Sequence, residues 1–228
     1  MTSSARRLVL AGGAAAAVAY LVLLDTGPAA ARVALKPLPV IALAAWAWPG
    51  TPRAARGIPL GLLVCAVGDV LLALDLFLAG VAVFLAAHLL YMWAFLGLTR
   101  RPRPFRALPF LVWGAGTFAL LAPVLGRNLW PVAVYVVVIC AMMWRAAALV
   151  GAETLAPRAA WWALAGALLF GASDTLLALY RFYNPWPDAP VMVMLLYWAG
   201  QAGLARAAGP PSGISPAFLY HHAGPPAA

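Results

Sequence analysis

Residues 69–77 read DVLLALDLF and residues 174–182 read DTLLALYRF, so Asp-x-Leu-Leu-Ala-Leu-x-x-Phe occurs twice, 105 positions apart. The chain has only six acidic residues in 228, and two of them, Asp69 and Asp174, stand at the head of these apolar phrases. An ionised Asp at bilayer depth costs about 2.5–3.5 kcal/mol on insertion scales, so it must face a partner or a water-filled cavity, or hold a proton. If the two meet, the expectation is one neutral carboxylic acid and one carboxylate. That is the pair general acid–base chemistry uses. The alternative is that each Asp accepts hydrogen bonds from a neighbouring helix and does no chemistry.

Other polar side chains interrupt apolar runs. His88 and Tyr91 lie three apart and share a helix face. The imidazole serves either as a hydrogen-bonded structural group or as a proton relay. Lys36, the only lysine, opens KPLPV at 36–40. It either snorkels to the interface or pairs with an Asp or a lipid phosphate. Tyr197 and Gln201, four apart, either offer donors to a polar head group or lock helices together. Ser173 precedes Asp174, but GASDT at 171–175 is not a GxSxG elbow, and nothing argues for a serine nucleophile. No metal site is expected: His88 has no second imidazole in the apolar segments, and Cys65 and Cys140 read as small buried hydrophobes. Asp75 and Asp188 fall at helix ends and read as solvated.

These residues need helices to hold them. The chain is 65% hydrophobic and 9% charged, with a mean hydropathy of +0.92. A soluble domain of this size could not cover its core with so little polar surface. The expected fold is an all-α, polytopic membrane helix bundle. Eight segments have roughly spanning length: 8–24, 33–48, 58–74, 77–98, 107–125, 129–149, 159–180 and 189–207. The first follows Arg6 and Arg7 like a signal peptide, but is read as a retained helix. The breaks are rich in Pro and Gly, which end helices. Residues 1–207 form the bundle, and 208–228, with His221 and His222, read as a disordered tail.

The net charge of +9 does not point to nucleic acid, because the arginines sit in short interhelical stretches such as TRRPRPFR at 99–106. With the N-terminus in the cytoplasm, that side carries Arg6, Arg7, Arg53, Arg56, the 100–106 run, Arg145, Arg158 and Arg206. The far side carries Arg32, Lys36, Arg127 and Arg181. The asymmetry puts both termini in the cytoplasm of a bacterial inner membrane.

The repeat continues in LLY at 89–91 and 195–197. Four spans separate the copies, so they run the same way through the membrane. The expectation is two four-helix halves, about 1–100 and 107–207, in parallel repeat about an axis along the membrane normal. Asp69 and Asp174 would then sit at matching depth, roughly 5 and 7 Å beyond mid-helix at 1.5 Å per residue, and could converge on one cavity.

KPLPV at 36–40, GDVLLAL at 68–74 followed by FLAGVAVFLAAHLLY, GASDTLLAL at 171–179 and LLYWAGQAGL at 195–204 together resemble the YhhN-type lysoplasmalogenases. The resemblance runs from about residue 33 to 207. It implies eight spans and hydrolysis of the vinyl ether of a lysoplasmalogen, a lysophospholipid substrate, to a fatty aldehyde and a glycerophospho-alcohol. It carries over Lys36, Gly68, Asp69, His88, Tyr91, Ser173, Asp174, Tyr197 and Gln201. In this reading Asp69 and Asp174 are the acid–base pair, and His88 or Tyr91 orients water or relays protons. Lys36 and Gln201 hold the phosphate end, with Ser173 and Tyr197 also at the substrate. Neither metal nor nucleotide cofactor is needed. Two other classes fit the same residues: a proton-coupled lipid or small-molecule carrier, and a membrane protein whose Asp residues only bind helices together.

Overall fold

The computed structural model describes residues 2–209. Over these residues the chain forms nine α-helices and no strand. They are α1 (Ser3–Val22), α2 (Ala29–Leu35), α3 (Leu38–Ala47), α4 (Gly57–Ala73), α5 (Phe77–Leu98), α6 (Leu108–Leu125), α7 (Leu129–Leu149), α8 (Pro157–Phe182) and α9 (Ala189–Ala208). The expected tail lies outside the described residues apart from its first two positions, of which Ala208 closes α9.

Seven helical stretches are long and apolar enough to cross a membrane. One of them, Pro104–Leu149, has 46 residues. As one helix it would measure about 69 Å, twice the hydrocarbon thickness. It is broken at Gly126, where φ is +51°. Leu121 before the break clusters with Val132 after it, so α6 and α7 form an antiparallel hairpin. With that stretch counted as a hairpin, the described residues make eight passes. Large apolar side chains also cover the outside of the bundle: Val112 is 74% and Val137 68% exposed. Helices that are apolar inside and out need lipid around them. This is an integral membrane protein.

One pass departs from expectation. The second, read as a continuous helix over 33–48, is two helices, α2 and α3, with Lys36 and Pro37 at the joint. Pro37 and Pro39 cannot donate backbone hydrogen bonds, and this interrupts the ladder where a lysine is introduced.

The pairings repeat. α4 packs on α5 as α8 packs on α9, α3 on α4 as α7 on α8, and α1 on α3 as α6 on α7. Between the two sets, α5 packs on α7 as α9 packs on α3. α8 and α9 approach closely. A Cβ placed on Gly166 would lie 2.6 Å from the Leu204 nitrogen and 2.7 Å from the Gly200 oxygen, so backbone meets backbone. Small residues permit such contact, and dispersion then holds the helices together in lipid.

Arg145 was counted with the residues that set topology. It is instead buried at 3% exposure and donates to the carbonyls of Thr99 and Arg101. Arg103 and Arg106 donate to carbonyls at the end of α7, including those of Ala147 and Val150. The basic link between α5 and α6 therefore caps a helix C-terminus, where cations are favoured.

Candidate active site

α4 and α8 bring Asp69 and Asp174 to the wall of one cavity of about 700 Å³. It lies where α4 and α8 end and α9 begins. Equivalent positions of the repeat face it in pairs: Asp69 with Asp174, Leu72 with Leu177, Asp75 with Tyr180. The terminal phenylalanines of the two phrases, Phe77 and Phe182, touch each other edge to face at 5.4 Å between centroids. Residues 105 positions apart thus meet in space.

Each carboxyl takes a phenol from another helix. Tyr197 Oη of α9 donates to Asp69 Oδ2 at 2.8 Å, and Tyr135 Oη of α7 donates to Asp174 Oδ2 at 2.5 Å. The second oxygen of each carboxyl has no hydrogen-bond partner among the described residues and is left for a ligand. Asp69 is 1% exposed, whereas the Asp174 side chain is 14% exposed. His88 Nε2 stands 3.7 Å from Asp174 Oδ2. That is too long for a hydrogen bond. The imidazole is fully buried behind Asp174, tilted on the Phe170 ring at 4.6 Å and edge-on to Tyr135 at 5.2 Å. Phe170 also touches the Tyr197 ring at 5.4 Å, so one aromatic residue orients groups serving both acids.

Lys36, Ser173 and Tyr197 line the same cavity. Ser173 Oγ is already committed to the Val193 carbonyl at 2.9 Å, tying α8 to α9. Tyr91 and Gln201 are not on the cavity wall. Tyr91 Oη donates to Gln201 Oε1 at 2.8 Å, and Gln201 Nε2 donates to Cys65 Sγ at 3.2 Å. This closed triangle of buried side chains joins α4, α5 and α9. Cys65 lies one turn below Asp69, and Gln201 one turn from Tyr197, so the triangle fixes the register in which acid and phenol meet. Gly61 makes room for it: a side chain there would collide with the Tyr91 ring.

A second cavity, of about 640 Å³, adjoins the first. Asp174, Phe77 and Phe84 belong to both walls, while Asp69 and Lys36 belong to the polar cavity alone. The rest of the second wall is mostly Leu, Val, Ile and Phe. The arrangement sets three acids, one lysine and one arginine, Arg181, beside a hydrocarbon chamber, with Asp174 at the boundary. It can hold an amphiphile and move protons at the joint between its polar and apolar parts.

The YhhN family model matches residues 31–208. The chain belongs to the YhhN family. It is similar to human lysoplasmalogenase TMEM86B, at 38% identity over 170 residues, 73% of this chain and 70% of that protein. Bovine lysoplasmalogenase TMEM86A is 36% identical over 69% of this chain and 66% of its own length. A lysoplasmalogenase of Mycobacterium tuberculosis is 36% identical over 57% of this chain and 51% of its own length. No solved structure matches. In this YhhN chain, three residues at the site escaped the sequence reading. Tyr135 is a lone phenol in an apolar run, a signal weak by itself. Arg181 and Tyr180 occupy two of the three variable positions of the second phrase, where the first has Leu76 and Asp75, and only the meeting of the two copies makes those positions informative. Asp75, read as solvated, is exposed and also borders the cavity.

Proposed function

We propose that this chain is a membrane-embedded lysoplasmalogenase that cleaves the vinyl ether of a lysoplasmalogen by carboxylic acid–base chemistry. The observation that carries the reading is the pair Asp69 and Asp174 on one cavity wall, with Asp174 alone reaching the hydrocarbon chamber as well. A vinyl ether at that boundary lies against Asp174. Its carboxylic acid protonates the β-carbon of the alkene, and an oxocarbenium ion forms. Asp69, sharing its cavity with Lys36, supplies negative charge near the cation and guides water to the carbon bearing oxygen. The hemiacetal then collapses to a fatty aldehyde and a glycerophospho-alcohol. Asp69 takes the proton that the adding water loses and passes it across the shared cavity to Asp174, and His88, 3.7 Å from Asp174 Oδ2, backs that carboxyl.

The two-half arrangement supports this chemistry because it gives two acids on facing helices a common cavity. Lys36 and Arg181 are positioned to hold the phosphate, and Gln201 and Tyr91 act through the register of α4 and α9. The bias of arginines supports cytoplasmic termini in a bacterial plasma membrane, which places the cavity toward the outer leaflet. Purified protein in detergent with lysoplasmenyl-phosphoethanolamine is expected to release long-chain aldehyde. No release from any vinyl-ether lysolipid would transfer the reading to a lipid carrier.

Lys36→Met is expected to raise KM for the lysophospholipid about tenfold, with kcat changed by less than threefold. The ammonium acts on the head group, which is alike in ground and transition states, and uniform binding moves KM. Steady-state kinetics over a substrate series check it. A kcat loss with unchanged KM would instead place Lys36 in the chemistry.

A further inference from the structure

We infer that the hydrocarbon chamber is the binding site for the single alkenyl chain, built on the α6–α7 hairpin and filled laterally from the membrane. The inference rests on the proposed reading of the site, and it assigns a part of the molecule that reading does not use. Three observations carry it.

The first is position. The chamber meets the polar cavity at Asp174, so a molecule held at both must be amphiphilic with its junction at that carboxyl. The second is surface chemistry. The polar groups on the chamber wall are largely spent. Tyr135 Oη is given to Asp174, and Thr175 Oγ1 is given to the Gly171 carbonyl at 2.8 Å while it accepts from Trp113 Nε1 at 3.1 Å. What remains is Leu121, Val132, Val136, Ile139 and Ala178, a surface that offers water no partners and suits a hydrocarbon. The third is shape. On α8 the wall runs from Gly171 to Phe182, eleven residues and about 16 Å along the helix. Val81 of α5 and Thr117 of α6 stand on its two sides, and no packed interface between α5 and α6 closes it.

Two residues on different helices give access to the chamber without touching the acids. Ala178 lies one turn beyond Asp174 on α8, and Thr117 faces it from α6. Ala178→Phe and Thr117→Phe, each in full-length protein, are expected to lower the ratio of kcat/KM for a long-chain lysoplasmenyl lipid to that for a four-carbon alkenyl analogue at least tenfold. An unchanged ratio in both variants, whatever the absolute rates, overturns the assignment. The binding test is independent of turnover. A non-hydrolysable 1-O-alkyl lysophosphatidylethanolamine carrying a mid-chain diazirine, photolysed with wild-type protein, is expected to label the peptide spanning Thr117 to Ile139. Labelling that misses both this peptide and Gly171–Phe182 of α8, the chamber's other wall, or that spreads evenly over the lipid-facing helices, overturns it. Labelling of that peptide by a protein that releases no aldehyde would keep the chain site and discard the hydrolase reading. Aldehyde release with labelling elsewhere would do the reverse.

Discussion

Asp174→Asn removes aldehyde release by a factor of about 10²–10⁴, the range a positioned general acid supplies. The amide matches the carboxyl in shape and can still accept from Tyr135 Oη, so the fold has no reason to change. It has no acidic proton for the β-carbon of a vinyl ether, and nothing else on the chamber wall can supply one: the phenol and hydroxyl groups there are far weaker acids. Asp69→Asn falls by a similar factor for a different reason, since the developing cation loses the negative charge beside it. The measurement is aldehyde formed per folded protein, with a monodisperse elution profile in detergent as the control for folding. Full turnover in both variants would sink the acid–base assignment. A loss of folded protein with normal specific activity would reduce both residues to struts between helices.

Gly166→Val is expected to damage the fold severely although it lies away from the acids. Its added Cβ would sit 2.6 Å from the Leu204 nitrogen, 2.7 Å from the Gly200 oxygen and 3.0 Å from the Gly203 carbonyl carbon, and a backbone cannot swing aside as a flexible side chain can. α8 and α9 must separate. Overpacking of a well-fitted core costs about 1–3 kcal/mol, occasionally more, and here the same separation breaks the bond from Ser173 to Val193. The expected result is a fall in thermal midpoint of about 10 °C or a failure to recover monodisperse protein. Gly12→Ala is the control, because a Cβ there meets nothing within 4 Å. Equal melting curves for Gly166→Val and wild type would contradict the close packing.

Both acids were legible in the sequence because a carboxyl in an apolar phrase is expensive and because the phrase is repeated. The repeat also foretold that they would share a cavity, for equivalent positions on facing helices converge. Hydrophobic run lengths gave the eight passes. Tyr135 and Arg181 were not legible, since each is brought to the acids' cavities only by the packing of other helices. Tyr91 and Gln201 show the converse. Their spacing marked them as facing inward, but spacing along one helix does not say whether the inward face meets a cavity or another side chain. The arginines near α7 were read by count, whereas their reach to particular carbonyls depends on how the link after Leu98 folds.

The break in the second pass has a bearing on how such chemistry runs in oil. Each turnover would consume one molecule of solvent at a place where hydrocarbon excludes it. Pro37 and Pro39 cannot donate back to the carbonyls of Val33 and Leu35, and Lys36 stands between them on the cavity wall. Freed acceptors beside an ammonium make a hydrophilic notch in an otherwise sealed helix wall, and ordered solvent is what satisfies such groups at membrane depth. The irregular helix thus sets two prolines that cannot donate, and the lysine just before them, next to the acids.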